Sequence, residues 1–184
     1  MSDDRTVVVL PGRTFGPYVP QLFFPMFAAM RRGARIVAVD WDSAPPTDPA
    51  DVVPWVEQRV QPVLNTLDQA STLLVAKSLG TFASATPSTR AFPAVWVTPV
   101  LTAPSVSAAL AEPRAPFLLA GGTADKLWDP LAARRLTNHV VEIEGADHGL
   151  FVPGPLERSA RNIGKLAATV EAFIDIAVWP PGSG

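Results

Sequence analysis

The chain has no cysteine. Disulfides, thiol nucleophiles and cysteine metal sites are thereby excluded. It has only two histidines, His139 and His148, so a multi-histidine metal centre is not expected. Charge is scarce: charged residues make up 17% of the chain, and the formal net charge is −2. Neither nucleic acid nor an anionic membrane has an electrostatic claim on such a protein. No apolar run approaches the length of a membrane span. The first residues, Met1-Ser2-Asp3-Asp4-Arg5, are acidic and lead straight into a strand-like run, unlike a signal peptide. The expectation is a soluble, cytoplasmic protein without metal or cofactor. Its oligomeric state is not written in the sequence.

What is present is a core. The chain has 184 residues and 48% hydrophobic content, enough for one domain over 1–184 with a loose tail at 180–184. The twenty prolines are spread along the chain and read as loop punctuation. Thr6-Val7-Val8-Val9-Leu10 is a short apolar run of the kind buried on both faces of a sheet. A helical stretch over 20–32 ends at Gly33, a plausible C-cap. Arg35 to Val39 reads as a second buried-type strand. Asp48-Pro49 opens a helix, and Val52, Val56, Val60, Val63 and Leu67 share one of its faces. Pro62 is expected to kink or end it. Strands follow at 71–77, 94–98, 116–121 and 139–143. Helices are expected from Leu79 to about Thr86, within 99–115, from Pro130 to Leu136 and from about 156 to 178. Strands alternating with helices predict an α/β fold: a doubly wound, mainly parallel six-stranded sheet with helices on both faces. The expected strand order is 2-1-3-4-5-6.

In such a sheet the ligand site lies beyond the carboxyl ends of the strands. That rule selects Gly12 and Arg13, Asp40, Ser78, Thr98, residues 122–125 and residues 144–148. Ser78 is the most pointed of these. The run Leu73-Leu74-Val75-Ala76-Lys77 is strand-like, and Leu79-Gly80 opens a helix-compatible run at once. Strand, serine and helix with no loop between them require a sharp turn that pushes the hydroxyl outward. The pattern is Ala76-x-Ser78-x-Gly80, with alanine where glycine is usual. Asp125 follows the fifth strand and His148 the sixth. A serine hydroxyl needs a base to become a nucleophile, and imidazole has a suitable pKa. The imidazole needs an acid to fix its tautomer. A histidine in a loop also has a purely structural reading.

The order serine, acid, histidine and the loops around them resemble the α/β-hydrolase superfamily. The resemblance covers nearly the whole chain. Gly122-x-x-Asp125 is similar to that family's acid loop, and Gly145-x-x-His148-Gly149 to its histidine loop. It implies Ser78 as nucleophile, His148 as base and Asp125 as orienting acid. It implies an oxyanion hole of the backbone amides of Leu79 and of Gly12 or Arg13. The family's first two strands and its cap are missing, and Leu10-Pro11-Gly12-Arg13 stands where lipases carry His-Gly-Gly-Gly. The implied protein is a minimal, lidless serine hydrolase acting on a small-molecule carboxylic ester or thioester. The alternative is a non-hydrolytic use of the fold, as a binding protein or as a biosynthetic lyase or cyclase.

The remaining candidates have plainer readings. Asp129 precedes Pro130 and is expected to cap a helix. Asp147 is expected to point away from its neighbour His148. Asp40 and Asp42 read as loop or solvent-facing residues, and His139 as structural. Lys77 is expected to be buried against neighbouring loops or paired with an acid. Phe15, Tyr18, Trp41, Trp128 and Phe151 all fall on loops of the active edge and together are expected to wall an apolar acyl pocket.

Overall fold

In the computed structural model, residues 5–181 are described. The N-terminal residues 1–4 and the last three of the expected loose tail, 182–184, lie outside them. Six short apolar runs become strands: β1 (Thr6–Leu10), β2 (Arg35–Ala38), β3 (Thr72–Lys77), β4 (Ala94–Val97), β5 (Phe117–Gly122) and β6 (Val140–Ile143). All neighbouring pairs are parallel. The order is β2-β1-β3-β4-β5-β6, as the sequence predicted. The central strands β1, β3, β4 and β5 are buried along almost their whole length. This explains their lack of polar alternation: both faces are covered by helices.

Helices α1 (Pro20–Met30) and α5 (Leu156–Phe173) cover one face. Their core joins Leu22, Met26, Leu73, Val75, Leu118, Leu166 and Phe173. On the other face lie α2 (Pro49–Leu64), α3 (Pro104–Leu110) and α4 (Pro130–Leu136). The expected stripe of α2 is the one that packs, with Val52, Val56 and Val60 buried. Pro62 falls in its last turn, and the helix closes two residues later at Leu64.

Three features depart from the sequence reading. The helix after Ser78 is a 3₁₀ helix over Ser78–Ala85, not an α-helix. Thr81 Oγ1 takes up the Ser78 carbonyl at 2.5 Å, and Pro87 forces Thr86 into extended backbone, which stops the winding. The final helix ends in a π turn over Ile174–Val178. Lastly, β2, at the edge where the predicted order put it, leaves Arg35, Ile36 and Ala38 exposed, although its composition suggested burial. The helix α1 packs chiefly over β1 and β3 and leaves β2 largely uncovered.

Candidate active site

The carboxyl ends of β3, β5 and β6 bring three side chains together. Ser78 stands at the junction of β3 with the 3₁₀ helix, with φ of +51°. A left-handed serine is a strained conformation that the surroundings must hold. Gly80 makes the tight turn possible. A Cβ on it would sit 2.4 Å from the Leu10 carbonyl oxygen, and its N–H donates to the Pro11 carbonyl at 3.1 Å. Alanine suffices at position 76, which lies inside β3 and is fully buried.

His148 sits on a turn built by its neighbours. Asp147 Oδ1 accepts from the amides of Gly149 at 2.8 Å and Phe151 at 2.9 Å. The carboxylate is therefore occupied by the turn and does not serve the imidazole. The turn approaches β5 closely because Gly122 has no side chain: a Cβ there would lie 2.1 Å from the Ala146 carbonyl oxygen. His148 Nε2 is 2.8 Å from Ser78 Oγ, and its Nδ1 is 2.7 Å from Asp125 Oδ2. Asp125 is buried, and its other oxygen accepts from the Leu127 amide at 2.9 Å. Asp129 is turned away and caps α4, accepting from the amides of Leu131 and Ala132 at 2.9 Å. The distances thus bring Ser78, His148 and Asp125 into one hydrogen-bonded array.

The backbone of Gly12 passes beside the serine; a Cβ built there would be 3.5 Å from Ser78 Cβ. Among the described residues the amides of Gly12 and Arg13 have no backbone acceptor. Leu79 lies in the first turn of the 3₁₀ helix, where amides lack an acceptor within the helix. Donors are therefore available next to the hydroxyl.

Lys77 reaches the other side of the histidine. Its Nζ donates to the His148 carbonyl at 3.1 Å and to Thr98 Oγ1 at 3.3 Å. Burial pushes its pKa below the ordinary lysine value, and the charges of Asp125 and Asp147 partly offset this. Thr98 is itself strained, with φ of +43°, and Leu150 follows His148 with φ of +61°. Among the described residues these two and Ser78 are the only non-glycine residues at positive φ. All three lie on the edge where the array sits, a clustering typical of functional sites. A second tether was not anticipated. Gln21, buried on α1, donates to the Gly149 carbonyl. Its signal in the sequence was faint: it is the one polar residue within Pro20–Met30.

A cleft of about 350 Å³ opens onto Ser78 and His148, walled by Phe15, Val19, Pro20 and Phe151. Only two of the five expected pocket aromatics are in it. Trp128 is buried against Gly121, where a Cβ would meet its ring at 2.1 Å, and its indole N–H donates to Glu142 at 3.0 Å. Trp41 packs at a tilt against Trp55, donates to the Pro11 carbonyl at 3.1 Å and faces a separate groove shared with Arg13 and Asp40. Tyr18 is exposed and lines neither space. Asp42 is exposed and paired with Arg59 at 2.7 Å, which holds its carboxyl below the usual range. His139 packs edge-on against Phe173 at 5.0 Å. Among the described residues no group of three or more metal-ligating side chains gathers, and no helix is long and apolar enough to cross a membrane.

No protein-family model matches the chain, and no curated protein matches it significantly in sequence. Solved structures do resemble it. An α/β serine hydrolase homologue from Coxiella burnetii superposes with a TM-score of 0.64 at 16% identity, covering 90% of this chain and 84% of that one. A lidless α/β serine hydrolase from Xanthomonas campestris gives 0.57 at 16% identity, covering 93% and 82%. Est1E from Butyrivibrio proteoclasticus, solved with ferulic acid bound, gives 0.66 at 10% identity, covering 94% and 89%. At such identities the likeness establishes the fold: the chain has the α/β-hydrolase fold in its capless form.

Proposed function

We propose that this α/β-hydrolase-fold chain is a serine hydrolase that cleaves a carboxylic ester or thioester by acyl transfer. The observation that carries the reading is the continuous array from Ser78 Oγ through His148 to the buried Asp125, at 2.8 Å and 2.7 Å. In this reading Ser78 Oγ attacks the substrate carbonyl while its proton passes to His148 Nε2. Asp125 holds the Nδ1 proton and stabilises the imidazolium. The oxyanion receives the amides of Leu79 and of Gly12 or Arg13. His148 then protonates the leaving alcohol or thiol, which departs as the carbonyl reforms. Water, deprotonated by the same nitrogen, attacks the acyl-enzyme and releases the acid and free Ser78. The walls of the cleft, Phe15, Val19, Pro20 and Phe151, suit an apolar acyl or aryl-acyl group. Est1E, with its bound ferulic acid, is a structural neighbour that accommodates such an acid.

The test is labelling with a fluorophosphonate probe, followed by a panel of acyl esters and acyl thioesters. Wild type should label and turn over at least one member. Ser78→Ala should keep its fold, lose the label and lose activity by about 10³-fold or more. Labelling that survives in Ser78→Ala would overturn the assignment.

A further inference from the structure

One buried polar group in the cleft is only half engaged. Gln21 is 3% exposed and lies in the first turn of α1. It shares a stripe with Pro25, Ala28 and Ala29, all of them buried, so an apolar side chain would suit the position. Its amide nitrogen donates to the Gly149 carbonyl. A carbonyl can only accept, so this contact fixes which end of the amide faces the histidine turn. Oε1 is left on the other side. It has no hydrogen-bond partner among the described residues. Nor is it one of the partnerless side-chain atoms sealed from solvent, which are Thr72 Oγ1, Ser84 Oγ and Arg90 Nε. Its opening is the cleft that Gln21 lines beside Ser78 and His148.

Holding Gly149 requires a donor and no acceptor. The spare oxygen needs a partner of its own, because a buried acceptor deprived of both water and a donor is destabilising. Other side chains at the cleft do not take that role. Ser78 and His148 are engaged with each other, Arg13 and Lys77 carry donors only, and Thr14 is exposed. Gln21 Oε1 is thus the buried side-chain acceptor of an otherwise apolar cavity of about 350 Å³. A plain acyl chain filling that cavity would push water off Oε1 and leave it unpaired. An acyl group with a donor at that depth would pair it. The donor must be neutral. A carboxylate has no proton to give, and an ammonium would enter beside the cation of Lys77, which lines the same cleft. A hydroxyl fits both ends of the amide: it donates to Oε1 and accepts from the second N–H of Nε2.

We propose that the acyl group taken by this cleft carries a hydroxyl, and that Gln21 recognises it. The proposal rests on the acyl-transfer reading of Ser78 and names the substrate class of that site. One amide then has two tasks. Nε2 holds the turn that carries His148, through Gly149, and Oε1 reads the substrate. The hydroxyl anchors the acyl group to the same side chain that steadies the base, so substrate and base are positioned from one point on α1.

Paired substrates test this on the full chain, as ethyl esters and as thioesters. The pairs are hexanoyl against 3-hydroxyhexanoyl and 6-hydroxyhexanoyl, and 3-phenylpropanoyl against 3-(4-hydroxyphenyl)propanoyl. At least one hydroxylated member should exceed its plain partner in kcat/KM by about 10-fold or more, the scale of a buried acceptor left unpaired. In Gln21→Met that preference should vanish. A purely structural tether to Gly149 would instead lower both members of a pair alike and leave their ratio unchanged. Gln21→Glu keeps an oxygen acceptor in place and should retain the preference, which keeps the test decisive if Gln21→Met folds poorly. Binding separates the proposal from the reading it rests on. By calorimetry, Ser78→Ala should bind the favoured hydroxylated ester about 10-fold more tightly than the plain one, and adding Gln21→Met should remove the difference. Equal kcat/KM and equal affinity within every pair overturn the role of Gln21 and leave the serine hydrolase standing. A preference in binding without turnover of any ester or thioester by wild type upholds the hydroxyl site and overturns the hydrolase. A preference that persists in Gln21→Met gives the hydroxyl to another group and overturns the proposal.

Discussion

Lys77 presents the sharpest test of how the site is held. Lys77→Met keeps an unbranched side chain of similar length and removes the ammonium. Two hydrogen bonds are lost, to the His148 carbonyl at 3.1 Å and to Thr98 Oγ1 at 3.3 Å. Hydrogen bonds to a charged group contribute about 1.5–3 kcal/mol each. Against this stands the cost of burying the charge, also several kcal/mol. The two nearly offset, so Tm should move by no more than about 4 °C in a domain of this size. Activity should not be spared. The His148 turn loses the tether that acts on the His148 backbone itself, while Gln21 still holds Gly149 and the Ala124 amide still holds the Ala146 carbonyl at 3.0 Å. A displacement of about 1 Å at a reacting group costs about 10²-fold. We expect kcat to fall about 10- to 100-fold, equivalent to about 1.4–2.8 kcal/mol of barrier, with KM little changed. Steady-state kinetics on the best ester substrate, beside a melting curve, gives both readouts. Wild-type kcat in Lys77→Met, or a loss of activity that merely follows unfolding, would refute the tether.

The pH dependence of stability follows from the same burial. The folded Lys77 pKa lies below 10.5, so the folded chain sheds this proton at lower pH than the unfolded chain does. Between the two values the unfolded chain binds more protons, and stability therefore rises with pH. Wild type should gain on Lys77→Met as the pH is raised toward 10.5. A Tm difference that stays flat from about pH 7 to about pH 10 would show that no such penalty exists.

Other changes separate neighbouring roles. Asp125→Asn should lower activity about 10³- to 10⁴-fold by favouring the wrong imidazole tautomer, with little change in Tm. Asp129→Ala should cost about 1 kcal/mol of stability for its lost cap and keep activity, so the reverse pattern would exchange the two aspartates. Gly122→Ala places a methyl 2.1 Å from the Ala146 carbonyl oxygen. It should destabilise by about 1–3 kcal/mol as an overpacking change and disable the histidine turn, as Tm and fluorophosphonate labelling would reveal. Phe151→Ala should widen the cleft and move the optimum toward longer acyl chains, and an unchanged chain-length profile would place the acyl group elsewhere.

The sheet order was legible because each buried strand is a compact apolar run with turn residues on both sides, from Thr6-Val7-Val8-Val9-Leu10 onward. Hydrophobic patterning carries that information within a single segment. The array of Ser78, His148 and Asp125 was legible for a different reason: each residue lies in the segment that leaves the carboxyl end of a strand, and parallel strands deliver those ends to one edge. The pocket was not legible in the same way. Trp128 and Phe15 both lie in active-edge loops, yet one plugs the space over Gly121 and the other lines the cleft. Loop position gives no direction to a side chain; packing partners far away in sequence do. The same holds for Gln21, whose acceptor at Gly149 is 128 residues away. The exposure of β2, whose edge position the predicted strand order already implied, was hidden because composition records what a strand can bury, not whether a helix arrives to cover it. Ile36 and Ala38 are thus the point where sequence and monomer disagree: the residues are suited to burial, and the fold leaves them bare.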